Sequence, residues 1–204
     1  MSGGELAMIK KRNPWISIAD LLSSVVLVLL LMFVLSAIAP KYTQEAQRHM
    51  MMEQIDEALV DYKEKGQVNV NQEEGILEFT AVTFDTGSAE LGVGTAPLVK
   101  DLAARLQQYM NEHPRLEILI EGHTDPSSVK GVVNDGGYFE NNIQLSTLRA
   151  ANVRGALLKQ MGNEYAKRIG VAGYGETRLK NISNPMSAEN RRIEIRLLWN
   201  GKDV

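Results

Sequence analysis

Cysteine is missing from the sequence altogether, and histidine occurs only three times, at His49, His113 and His123. Thiol nucleophiles, disulfides and cysteine-based metal sites are thereby excluded, and the histidines lack zinc-binding spacing. No serine with a paired base and no glycine-rich phosphate loop is present either, so the residues point away from an enzyme. Charge of one sign is not in excess: 22 Lys and Arg stand against 25 Asp and Glu, for a net charge of −3. Basic residues form no run beyond Lys10-Lys11-Arg12. That balance argues against a direct nucleic-acid partner. Internal repeats and low-complexity tracts are also absent. The lack of cysteine suits an exported domain, but it suits cytosolic proteins equally.

What the sequence does have is one long apolar run. From Leu21 to Ala39 the polar side chains are Ser23, Ser24 and Ser36, and with Trp15 to Asp20 the stretch exceeds the ~20 residues that span a bilayer. Residues 14–39 therefore read as a transmembrane helix, with Asn13 as N-cap, Pro14 as first helical residue and Trp15 as interfacial anchor. Asp20 lies about two turns inside. Ser17, Asp20 and Ser24 recur at i, i+3 and i+7 and share one face. An ionised carboxylate in lipid costs on the order of 1 to 3 kcal/mol, so this acid is expected to work as an ion carrier, exchanging a proton as its surroundings alternate between wet and dry. The alternatives are an acid that reaches the headgroups or one that merely joins two helices.

Lys10, Lys11 and Arg12 precede the span, whereas Lys41, Glu45, Arg48 and Glu53 beyond it are mixed in sign. The positive-inside rule then puts residues 1–13 in the cytoplasm as a short tail and everything after Pro40 outside. Ala37-Ile38-Ala39 has the small-residue pattern of a signal-peptide cleavage site. The apolar run is too long for one, however, and Pro40 would sit at the scissile bond, so an uncleaved anchor is expected.

Residues 40–66 read as a linker helix, with Met52, Ile55, Leu59 and Tyr62 at three- and four-residue steps. That seam has two possible uses: a parallel dimeric coiled coil, or packing on the chain's own downstream domain. Residues 67–204 read as one globular domain. Val68-Asn69-Val70 and Ile76 to Phe79 suggest a hairpin, Pro97 to Asn111 an amphipathic helix, and Leu116 to Glu121 a strand. A long loop follows from Gly122-His123-Thr124-Asp125-Pro126 through Asn134-Asp135-Gly136-Gly137. A helix then runs to Met161 with Ser146 as its expected N-cap, and strands are expected near Ile169 to Ala172 and from Arg192 to Trp199. This makes an α/β sandwich with helices on one face of the sheet.

Five motifs carry a resemblance: Phe84-Asp85-Thr86-Gly87-Ser88-Ala89-Glu90-Leu91, Glu121-Gly122-His123-Thr124-Asp125, Leu145-Ser146-Thr147-Leu148-Arg149, Gly173-Tyr174-Gly175-Glu176 and Asn190-Arg191-Arg192-Ile193-Glu194. In this order they resemble the OmpA-like peptidoglycan-binding domain, with its βαβαβ-type two-layer sandwich. The resemblance implies that the domain holds the diaminopimelate of a peptidoglycan stem. Asp125 would face its ammonium and Arg149 its carboxylate, with Thr124, Asn142 and Arg192 in support. The loop between Asp125 and Ser146, carrying Asp135 and Glu140, is longer than the family pattern. Asp125 with Arg149 would otherwise read as a surface salt bridge.

The anchor carries a second resemblance. Pro14-Trp15, Ala19-Asp20-Leu21-Leu22 and the apolar run are similar to the B subunits of flagellar stators and their relatives. That implies a homodimer threaded through a ring of five A subunits, with Asp20 carrying H⁺ or Na⁺, Ser17 and Ser24 supporting it, and no cofactor. Within that group the short chain looks most like the B subunits of the Zorya antiphage defence motor, which implies cytosolic effectors reached through the A subunit. A flagellar stator subunit and a passive tether from inner membrane to wall are the competing readings.

Overall fold

The computed structural model describes residues 14–80, 84, 88–92, 94–127, 131, 132 and 138–199. The basic cluster, Asn13, Asp85 to Gly87 and Asn134 to Gly137 lie outside the described residues. The chain divides into two compact units at Glu45/Ala46.

In the first unit, helix α1 (Pro14–Ala58) begins at the expected proline. Its apolar part, Pro14–Ala39, has no residue buried. At 1.5 Å per residue it is about 39 Å long, enough to cross a bilayer.

The second unit starts at Ala46, upstream of residue 67 where the change in sequence texture suggested a boundary. The end of α1 supplies Met51, Met52 and Ile55 to the main hydrophobic core, Leu59 follows directly after it, and Met52, Ile55 and Leu59 are fully buried. The seam is thus spent on the chain's own domain, packing with Leu98, Leu102, Leu106 and Tyr109 of helix α3 (Ala96–Glu112) in one core cluster. Tyr109 Oη donates to Gln54 Oε1 at 2.8 Å, tying the two helices together. A short helix, α2 (Val60–Glu64), then leads into the sheet. Truncating Ile55 to Ala in the full chain in detergent is expected to destabilise this unit by about 2 to 4 kcal/mol, read by denaturant unfolding, because the side chain is fully buried and leaves a cavity. A dimer seam would instead show a concentration-dependent loss.

Strands β1 (Val68–Asn71) and β2 (Ile76–Phe79) form the expected hairpin. Strand β3 (Leu116–His123) points Leu116, Ile118 and Ile120 into the core. A two-stranded ribbon, β4 (Gly131–Val132) and β5 (Tyr138–Phe139), follows within the long loop. Helix α4 (Asn142–Met161) crosses over to β6 (Ile169–Gly175), and β7 (Ile193–Trp199) ends the unit. The five-stranded sheet has the order β1-β2-β7-β3-β6. Strands β3 and β6 are parallel, and the remaining pairs are antiparallel.

Helix α4 starts a full turn before the expected cap. Asn141, in extended conformation, accepts from the Gln144 N–H through its side chain, so it caps the helix and Ser146 lies inside. Ser146 Oγ instead donates to Ile143 O and accepts from the Gly175 N–H at 3.0 Å. That closeness demands glycine. A Cβ on Gly122 would sit 2.0 Å from Ser146 O, and one on Gly173 would sit 2.0 Å from Thr147 Oγ1. The first turns of α4 are therefore pressed against the carboxyl ends of β3 and β6.

Candidate functional site: a charged cleft at the end of β3

Ligands of α/β sheets gather at the carboxyl ends of parallel strands, and here that end is followed at once by Thr124 and Asp125. Both are buried, as are Asn142 and Arg149 from the first two turns of α4. Asn142 and Arg149 are seven apart and so share a helix face. Asn142 Nδ2 donates to Asp125 O at 3.2 Å, which joins helix and loop. Thr124 donates its N–H to Gly175 O at 2.9 Å. Its hydroxyl Oγ1, like Asn142 Oδ1, is buried without a hydrogen-bond partner among the described residues.

Arg149 is held from the other side. Its Nε donates to Ser88 O at 2.9 Å, and its guanidinium lies 5.3 Å from the centre of the Phe84 ring. Phe84 and Ser88 thus form the seat of Arg149, and Ala89 packs with Phe139 and Leu145 in a small second cluster. Burial lowers the Arg149 pKa to about 10, helped by the nearby Arg191 and opposed by Asp125, so it stays cationic at neutral pH. Burial pushes the Asp125 carboxyl up, but hydrogen bonds from Arg191 and Ser127 outweigh it and leave the carboxyl below its ordinary value. Ser127 N–H reaches Asp125 Oδ1 at 3.0 Å.

Asp125 and Arg149 share the cleft, yet the cation bonded to Asp125 is Arg191, whose Nη1 is 2.7 Å from Oδ2. Arg192, the neighbour expected to line the groove, turns the other way. Its Nε donates to Glu194 Oε1 at 2.8 Å and its Nη atoms approach Arg178 O. Alternation carried back from β7 explains the exchange: Arg192, just ahead of the strand, has the parity of Glu194 and Arg196, whereas Arg191, which ends the short 3-10 turn Ala188–Asn190, has that of the core-facing Ile193 and Ile195. The parity is legible in the sequence, but which side of the strand Asp125 occupies is not.

On the opposite face of the sheet Glu121, His123 and Glu194 bring potential ligand atoms within 4.8 Å of one another, which would suit a metal ion by distance alone. Guanidiniums already take both carboxylates: Arg196 Nη2 bonds Glu121 at 3.0 Å and Glu194 at 3.1 Å, and Arg192 bonds Glu194 as well. The group is an ion-pair network in which a further divalent charge would meet two arginines. His123 stacks on Tyr174 with ring centroids 5.5 Å apart. Burial chiefly, with Arg192 next, lowers its pKa to about 4 against the pull of Glu194. Below pH 6.5 the unfolded chain binds a proton that the folded chain refuses. Stability is therefore expected to fall between about pH 6.5 and 4, by on the order of 3 kcal/mol, and His123→Gln should flatten that slope in denaturation series.

In the first unit Asp20 lies on the exposed apolar helix, as do Ser17 and Ser24. Ser24 Oγ donates to the backbone carbonyl of Asp20 at 2.9 Å, and Ser23 Oγ to that of Ala19 at 2.8 Å. The Ser23 and Ser24 hydroxyls are bonded within the helix, and Asp20 carries the acid of this stretch.

A family model described as the OmpA family matches residues 83–192, more than half of the chain. Motility protein B of Bacillus subtilis is 29% identical over 168 residues, covering 79% of this chain and 60% of that protein's own length. A solved MotB-like protein from Desulfovibrio vulgaris superposes with a TM-score of 0.58 at 25% identity, covering 76% of this chain and 96% of that one. The cell wall anchor of the T6SS from Pseudomonas aeruginosa shares the fold, with a TM-score of 0.53 at 23% identity over 71% of this chain and 95% of its own.

Proposed function

We propose, from the premise that this chain belongs to the OmpA family, that it is a peptidoglycan-anchored, ion-conducting subunit of a stator-type motor in the inner membrane. The N-terminus lies in the cytoplasm and the folded unit in the periplasm. Wall binding is supported by the cleft: a buried carboxylate, a buried guanidinium and two buried acceptors without partners suit an amino-acid head group that bears both an ammonium and a carboxylate, as the diaminopimelate of a peptidoglycan stem does. The role is one of binding rather than catalysis.

The observation that carries the motor is Asp20, an acid within an apolar helix that a passive tether would not need. Two copies would pass their helices through a ring of five A subunits, and protonation of Asp20 would drive rotation. Dimerisation rests on the membrane helix, because Met52, Ile55 and Leu59 are buried in their own domain. Co-reconstitution with an A subunit and measurement of H⁺ and Na⁺ flux across the vesicle wall tests this reading. Flux of neither ion sinks it.

The short connection between the membrane helix and the folded unit favours the Zorya antiphage defence motor, with cytosolic effectors contacted through the A subunit. The folded unit begins at Ala46, only seven residues after Ala39, and leaves little room for a linker. The likeness to Motility protein B favours the flagellar alternative. Phage challenge and motility complementation, run in parallel, separate the two: restored swimming without protection overturns the defence role.

A further inference from the structure

Thr124, Asp125 and Asn142 each present an oxygen acceptor at the floor of the cleft, and all three residues are more than nine-tenths buried. Among the described residues, only Asp125 Oδ2 is engaged by a cation, the guanidinium of Arg191 at 2.7 Å. The Asn142 amide is oriented by its bond to Asp125 O, so Oδ1 remains an acceptor. One guanidinium therefore serves one of three oxygens. An alkylammonium, with three N–H donors on one atom, can replace the guanidinium at Oδ2 and still have donors to spare for neighbouring acceptors.

The two neighbours of Arg191 are fixed. Asn190 is fully buried and donates to the carbonyls of Asn181, Asn184 and Pro185, while Arg192 is pinned to Glu194. The Arg191 side chain, by contrast, is 40% exposed against 9% for Asp125. It can leave the carboxylate for solvent without any movement of the backbone that carries it.

We infer that Arg191 is an internal competitor for the ammonium subsite and sets the selectivity of the cleft. It occupies Asp125 in the free protein and is expelled by the ligand. This inference rests on the wall-binding reading above. Arg149 stands close enough for Arg191 to lower its pKa, so an ammonium that enters the site meets the repulsion of two guanidiniums. A ligand carrying an ammonium and a carboxylate together offsets that repulsion with its own negative charge. A simple amine does not.

Calorimetric titration of the full chain in detergent with meso-diaminopimelate tests the idea. Arg191→Gln is expected to bind about 2- to 5-fold tighter than the natural protein, the range for loss of a partly exposed ion pair, and Arg191→Lys to fall between them. Cadaverine, which has the amines without the carboxylates, is expected to gain at least as much. A ligand-free carbon-13 titration of the Asp125 carboxyl should shift upward in Arg191→Gln and coincide with the natural protein once diaminopimelate is bound. Unchanged or weaker binding by both variants, while the natural protein binds, overturns the competitor role alone. Failure of all three proteins to bind diaminopimelate and isolated sacculi overturns the wall-binding reading and this inference with it.

Discussion

Asp20→Asn is expected to reduce ion flux to the level of vesicles that contain the A subunit alone, with insertion and assembly unchanged. The amide has nearly the volume of the carboxylic acid and keeps a hydrogen-bonding head, but it neither takes up nor releases a proton at any working pH. Nothing else in the apolar part of the helix, Pro14–Ala39, can substitute for it. The neighbouring hydroxyls of Ser23 and Ser24 are bonded to backbone carbonyls one turn back, and from Leu21 to Ala39 no other side chain titrates. Removing a charge from lipid also lowers the cost of insertion, by about 1 to 3 kcal/mol. The protein should therefore accumulate in the membrane at least as well as before. Phage protection or motility retained in this mutant would end the ion-carrier role and leave a wall clamp.

Breaking the cleft is expected to give the second large effect, and the informative feature is a split between two readouts. Truncating one partner of a buried charged contact costs about 2 to 5 kcal/mol of binding, a factor of roughly 30 to several thousand. Asp125→Asn and Arg149→Ala should each lose co-sedimentation with isolated sacculi by that amount while the protein still inserts in the membrane. Asp125→Asn preserves shape, and in the free protein it breaks only a pair whose arginine is 40% exposed. Its unfolding free energy should therefore change by no more than about 1 kcal/mol. Arg149 also holds Ser88 O and covers Phe84, so Arg149→Lys is the companion variant, retaining charge without the fork. If Asp125→Asn leaves sacculus binding intact, the carboxylate is an ordinary structural partner of Arg191.

Much of this arrangement is legible in the sequence, for identifiable reasons. Apolar alternation in Leu116, Ile118 and Ile120 and the three- and four-residue steps in Leu98, Leu102 and Leu106 are local records of which side faces the core. The motifs at 121–125 and 145–149 likewise locate the acid and the base, because each is fixed by a strand end or a helix turn. The start of α4 is not legible in the sequence, because both Asn141 and Ser146 can cap a helix. Only the extended backbone at Asn141 and the engagement of Ser146 by Gly175 decide between them.

By itself the sequence determined the membrane helix with its single acid, the order of helices and strands, and the residues that furnish a charged cleft. These depend on length, periodicity and chemistry that each segment carries locally. Tertiary structure decided that the seam of Met52, Ile55 and Leu59 closes on its own domain, and that Arg191 rather than Arg192 meets Asp125. An apolar stripe does not name its partner, and two adjacent arginines differ only in which side of a strand they leave from. Both choices are made when the sheet and its helices come together.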